Sequence, residues 1–168
     1  MKQIASFTVN HDTLQKGMYI SRIDGDIITY DIRMKKPNGG DYLPVPAAHT
    51  IEHLFATWAR NTAEEENIVY VGPMGCRTGF YFLTRDGISK ARAIEIVKES
   101  MDFIKDFEGD IPGTLPSECG NYLEHDLKGA KVIAADMAEI LASWKTEDLR
   151  YNNLKPTAVV RRRNADGI

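Results

Sequence analysis

The run His49-Thr50-Ile51-Glu52-His53 sets two imidazoles four residues apart with a carboxylate between them. On an α-helix, residues four apart lie one above the other, so His49 and His53 can ligate one divalent ion. Glu52 sits beside them, close enough to move protons for whatever the ion polarises. One helix supplies two ligands, and catalytic sites of the zinc type commonly use three, keeping a further position for water or substrate. Few residues can provide the third. Cys119 stands between Glu118 and Gly120, and His125 and Asp126 follow closely. A His-His-Cys set would suit Zn²⁺, Fe²⁺ or Co²⁺; the alternative is that Cys119 is a small buried hydrophobe. Cys76 differs. It lies in the glycine-rich stretch Gly72 to Gly79, directly before Arg77. A thiol there can be exposed and electropositive, which favours the thiolate as nucleophile or general base. The competing reading is a buried turn cysteine.

The elements that must carry these groups follow from periodicity. Residues 4–9, Met18 to Ile23 and Ile27 to Met34 read as strands, the last two flanking a hairpin at Asp24-Gly25-Asp26. Pro37, Pro44 and Pro46 mark a loop before a helix from about Ala47 to Glu65, with Ile51, Leu54, Phe55, Trp58 and Ala59 as its buried face. Ile68 to Val71 and Phe80 to Thr84 read as two more strands. Further helices are expected at about Ser89 to Phe107 and Gly129 to Lys145, the latter burying Ile133, Met137, Ile140, Leu141 and Trp144. The expected class is α+β, a mostly antiparallel sheet with helices on one face in a single domain. That domain is read as residues 1–150, with 151–168 as a C-terminal tail carrying Arg161-Arg162-Arg163.

With 168 residues the chain can bury a substantial core. Its net charge of -3 argues against general affinity for nucleic acid or anionic membranes. Met1 to Ser6 does not begin a long apolar secretory segment, and a cytoplasmic location is expected. Two cysteines in a reducing cytosol suit metal ligation or catalysis better than a disulfide.

Three separated motifs then combine. His49-Thr50-Ile51-Glu52-His53-Leu54-Phe55-Ala56, Pro73-Met74-Gly75-Cys76-Arg77-Thr78-Gly79-Phe80-Tyr81 and Glu118-Cys119-Gly120 together resemble the S-ribosylhomocysteine lyase (LuxS) family. Ser6-Phe7, His11 and Asp31-Ile32-Arg33 also fall where that family has them, and the similarity spans roughly residues 4 to 145. The resemblance implies cleavage of the thioether of S-ribosyl-L-homocysteine. The products are L-homocysteine and 4,5-dihydroxy-2,3-pentanedione, the precursor of the autoinducer-2 quorum-sensing signals. It implies His49, His53 and Cys119 as ligands of one divalent metal per subunit, Fe²⁺ natively with Zn²⁺ or Co²⁺ as substitutes. Cys76 and Glu52 become the acid/base pair, and Ser6, His11 and Arg33 line the substrate pocket. Members are homodimers with active sites at the subunit interface. One departure stands out: Tyr70 occupies a position, six before the cysteine, where many members carry an acid that contacts the homocysteine end.

Two rival readings stand beside it: a non-enzymatic metal-binding module, which would have a closed coordination shell, and, more strongly, a metallohydrolase. His-x-x-Glu-His also marks inverzincin peptidases, in which the glutamate activates water and a downstream carboxylate completes the ligand set.

Overall fold

The computed structural model describes residues 7–152. Four strands form one antiparallel sheet: β1 (Gly17–Asp24), β2 (Ile27–Arg33), β3 (Ile68–Pro73) and β4 (Gly79–Arg85), in the order β1-β2-β4-β3. Three helices accompany it: α1 (Val45–Ala59), α2 (Lys90–Asp106) and α3 (Leu127–Leu141). The class is α+β.

Alternation along the strands decides the faces. Ile28, Tyr30 and Ile32 of β2, with Phe80 and Phe82 of β4, point into one core with Ile51, Leu54 and Phe55 of α1 and Ile94, Val97 and Met101 of α2. Phe82 is its centre, with the rings of Phe55 and Tyr30 at 5.5 and 6.0 Å. The intervening residues of β2, Asp31 and Arg33, face the other way. Tyr19 and Tyr81 pair with Asp31 across the two neighbouring strands, so this second face carries a row of polar and aromatic groups.

Several boundaries differ from those expected. The β1–β2 loop is Gly25-Asp26, one residue shorter than the expected Asp24-Gly25-Asp26, because Asp24 still pairs with Ile27. Gly25 takes φ +60°, the left-handed conformation that a two-residue hairpin places on its first residue when it is glycine. Of the expected strand at 4–9, residues 4–6 lie outside the described residues and Val9 makes only an isolated bridge. Helix α1 starts two residues earlier than expected, at Val45: Pro44 is its N-cap, and Pro46 sits in the first turn, where a missing N–H costs nothing. It also stops earlier, at Ala59. Asn61 Nδ2 and Thr62 Oγ1 there donate to the carbonyls of Thr57 and Ala59, and side chains replace the next helical turn. Helix α2 matches expectation, Ser89 capping it by accepting from Arg92 N–H.

Helix α3 begins at Leu127 because the Asp126 carboxylate accepts from Gly129 N–H at 2.8 Å. It ends at Leu141, so Trp144 lies beyond it. Trp144 instead donates its indole N–H to Met18 O at 2.9 Å and covers Gly17, where any Cβ would collide with the indole. The following turn, Thr146–Leu149, carries the chain to Tyr151 on the second face of the sheet.

Candidate active site

The loop from Phe107 to Asp126 has no regular structure, and α1 holds it in place through its polar stripe. His53 Nδ1 donates to Pro112 O at 2.7 Å, and His49 Nδ1 donates to Glu124 O at 2.8 Å. A carbonyl only accepts, so both imidazoles carry their hydrogen on Nδ1 and leave the Nε2 lone pairs free. Those two Nε2 atoms lie 3.1 Å apart, and Cys119 Sγ is 3.3 Å from His49 Nε2. Three electron-pair donors thus converge on one point.

That arrangement fits a metal. Bonds of about 2.0 Å to nitrogen and 2.3 Å to sulfur in a tetrahedral shell put donor atoms roughly 3.3 to 3.6 Å apart. The second ring nitrogen of each histidine is anchored on a carbonyl, as metal-bound imidazoles usually are. Cys119 reaches the point because its N–H and that of Glu118 both turn back onto Leu115 O. Its Sγ also accepts from Asn121 N–H at 3.4 Å.

A fourth residue joins this cluster. The potential ligand atoms of His49, His53, Cys119 and His125 all lie within 4.8 Å of one another. His125 stacks on His49 at 4.1 Å between ring centres, and its Nδ1 lies 3.2 Å from Thr50 Oγ1. Thr50 gives its own hydrogen to Pro46 O and accepts from Asp126 N–H. His125 must therefore donate from Nδ1, and its buried Nε2 has no protein partner. Burial, and then His49 and His53, hold His125 below the usual histidine range. From the sequence His125 was visible only as a neighbour of Cys119, since stacking and burial leave no mark in spacing.

Glu52 lies on α1 beside His53 and is half-buried. Cys76 sits at the tip between β3 and β4, exposed, and neither cysteine is in a disulfide. Arg77 after it holds a left-handed φ of +58°. A non-glycine residue there costs of order 1–3 kcal/mol and persists only when its surroundings fix it. Leu43 N–H donates to Arg77 O at 2.8 Å, and Met34 and Lys35 N–H both donate to Thr78 O at 2.9 Å. The turn carrying the thiol is therefore rigidly held.

Arg33 stands behind that turn. It is 3% exposed, and its guanidinium pairs with the equally buried Asp31 at 3.1 and 2.6 Å. Its remaining Nη1 points to Thr78 Oγ1 at 2.5 Å and reaches Cys76 Sγ at 4.0 Å. Burial opposes the charge on Arg33, but Asp31 outweighs it and the guanidinium's pKa is raised. His11 shares with Cys76, Tyr42, Asn38 and Thr78 a hollow of about 390 Å³, and its Nδ1 donates to Val9 O at 3.1 Å. The four metal-type residues are not in the lining of that hollow. Ser6 lies outside the described residues. Tyr70 is exposed, its ring folded over Gly72.

The model of the S-ribosylhomocysteinase (LuxS) family matches residues 4–148. The chain belongs to that family. A curated relative from Phocaeicola vulgatus, named S-ribosylhomocysteine lyase, is 45% identical over 157 residues, covering 90% of this chain and 98% of its own length. Proteins of the same name from Clostridium acetobutylicum and Borreliella burgdorferi are each 43% identical over 156 residues, with 90% of this chain and 99% of theirs covered. The chain is thus an enzyme of a carbon–sulfur lyase family, with a metal-type cluster in its fold. No helix among the described residues is long and apolar enough to cross a membrane.

Proposed function

We propose that this enzyme cleaves the thioether of S-ribosyl-L-homocysteine, releasing L-homocysteine and 4,5-dihydroxy-2,3-pentanedione. The observation that carries this reading is the convergence of His49, His53 and Cys119 donor atoms in a chain of this family. These three residues would hold the divalent ion, Fe²⁺ natively, with Zn²⁺ or Co²⁺ as substitutes. When bound, the ion supplies Lewis acidity toward the sugar's carbonyl and hydroxyl oxygens.

The protein's own groups do the proton work. Cys76 as thiolate removes a proton from the carbon beside the open-chain sugar's carbonyl and returns one to its neighbour. Glu52 carries hydrogens between the adjacent oxygens, so the carbonyl moves from the first carbon to the second and then to the third. Proton removal at the fourth carbon then expels homocysteine thiolate from the fifth by β-elimination. The enol left behind gains a proton at the fifth carbon and becomes a methyl ketone. Oxidation at one carbon is matched by reduction at another, so no redox cofactor takes part. Arg33 favours the thiolate by its charge, and His11 and Ser6 border the substrate.

The working unit in this reading is a homodimer with an active site at each interface. Exposed Leu115, Tyr122 and Leu123 around Cys119 support it, being apolar groups beside the ligand that a second chain would cover. A cytoplasmic location and a role in the methionine cycle as well as in signalling belong to the same reading.

Product analysis in deuterium oxide tests the chemistry. β-Elimination predicts a sugar-derived methyl group bearing one solvent deuterium. Simple hydrolysis at the fifth carbon would leave a hydroxyl there and no methyl, and would overturn the proposal.

A further inference from the structure

We infer that the Thr78 hydroxyl is the immediate hydrogen-bond donor that holds Cys76 Sγ as a thiolate, aimed by a chain of the buried Arg33 and Asp31 and the half-buried Tyr151. The inference rests on the reading of Cys76 as the base. Thr78 is buried, with Oγ1 2.5 Å from Arg33 Nη1 and 3.0 Å from Cys76 Sγ. A guanidinium has only donors, so Thr78 accepts from Arg33 and keeps its single hydrogen for the sulfur. A donor whose oxygen is itself polarised by a cation is a stronger donor.

Arg33 does not do this alone. Its Nη1 is 4.0 Å from Sγ and cannot advance, because Nε and Nη2 are held by Asp31 Oδ1 and Oδ2 at 3.1 and 2.6 Å. Tyr151 donates its hydroxyl to the same Oδ2 at 2.6 Å and stacks on Tyr19 at 4.9 Å, fixing the carboxylate from the far side. Tyr151 lies beyond residue 148, where the family match ends. The C-terminal turn therefore reaches across the back of the sheet to brace the thiol site. Two neighbouring groups, Arg77 and His11, are engaged elsewhere. Arg77 lies over the Tyr42 ring at 5.6 Å, and His11 is turned to Val9 O. Thr78, Asp31 and Tyr151 are thus positioning residues.

The test is the rate at which iodoacetamide alkylates Cys76 at neutral pH in the metal-loaded protein, read on the Cys76 peptide so that Cys119 does not contribute. Thr78→Val removes the hydroxyl at nearly constant shape and is expected to slow alkylation about tenfold. Thr78→Ser, which restores the donor, is expected to return most of that rate. Tyr151→Phe is expected to slow it by roughly twofold or threefold, through a looser guanidinium. Wild-type alkylation in Thr78→Val, or a Thr78→Ser rate as low as that of Thr78→Val, would overturn the inference. If Thr78→Val does not fold, Tyr151→Phe decides, and an unchanged rate there also overturns the chain. Homocysteine release by Cys76→Ala separates the two claims: full turnover would remove Cys76 as base while leaving the alkylation series to stand or fall by itself.

Discussion

His49 Nε2 and His53 Nε2 lie 3.1 Å apart, each with its Nδ1 hydrogen committed to a backbone carbonyl. Two lone pairs facing each other at that distance repel unless a positive charge lies between or beside them. The fold therefore holds energy that a cation releases, and stability should depend on metal. Stripping the ion with a chelator is expected to lower the unfolding midpoint by about 10 °C relative to protein in metal at a thousand times its dissociation constant, a difference of about 4 kcal/mol. Calorimetry checks this, and equal midpoints would count against a metal at this point.

Cys119 completes the donor set 3.3 Å from His49 Nε2. Cys119→Ala is expected to lose at least most of the bound metal, measured by elemental analysis after dialysis, and homocysteine release with it. A variant that kept its metal would shift the third ligand to His125 or to a carboxylate.

Glu52 shares α1 with both histidines and is half-buried beside them. Glu52→Gln is expected to keep its metal and its unfolding midpoint while turnover falls about 10²- to 10⁴-fold, the range for loss of a general acid/base. Loss of metal instead of turnover would make Glu52 a ligand.

Tyr151 is half-buried against Asp31, and burial first, then that carboxylate, push its hydroxyl well above the usual tyrosine range. Below about pH 10 the hydroxyl is neutral in folded and unfolded chains alike. Above it the unfolded chain ionises while the folded one resists, so stability falls as pH rises. Tyr151→Phe is expected to flatten that alkaline fall in denaturant titrations between about pH 9 and 11. An unchanged slope would mean that Tyr151 does not hold Asp31 in solution.

Much of this was legible in residue order. The four-residue interval between His49 and His53 survives folding because a helix fixes it, and Ser89 announces the start of α2 by its side chain alone. The period-two pattern of Ile28, Tyr30 and Ile32 likewise gives the sheet's inner face. What spacing does not carry is pairing between distant segments. That Trp144 leaves its helix to reach Met18 O depends on where β1 ends up, 126 positions away in the chain. Asp31 and Thr78 stand in segments the sequence singles out, but their contact with Arg33, and that of Tyr151 with Asp31, come only with the folded sheet. His125 looks like any loop histidine until Thr50 takes its Nδ1 hydrogen and burial isolates its Nε2. The end of α1 is hidden for a related reason: Asn61 and Thr62 terminate it through side-chain bonds that propensity does not register.

The most direct test of the central claim is thiol release from S-ribosyl-L-homocysteine by Fe²⁺- or Co²⁺-loaded protein, compared with the same protein bearing Cys76→Ala. One homocysteine per substrate from the loaded wild type, and turnover lower by at least about a hundredfold in the variant, is the predicted result. Fully metal-loaded wild-type protein that releases no homocysteine would contradict it.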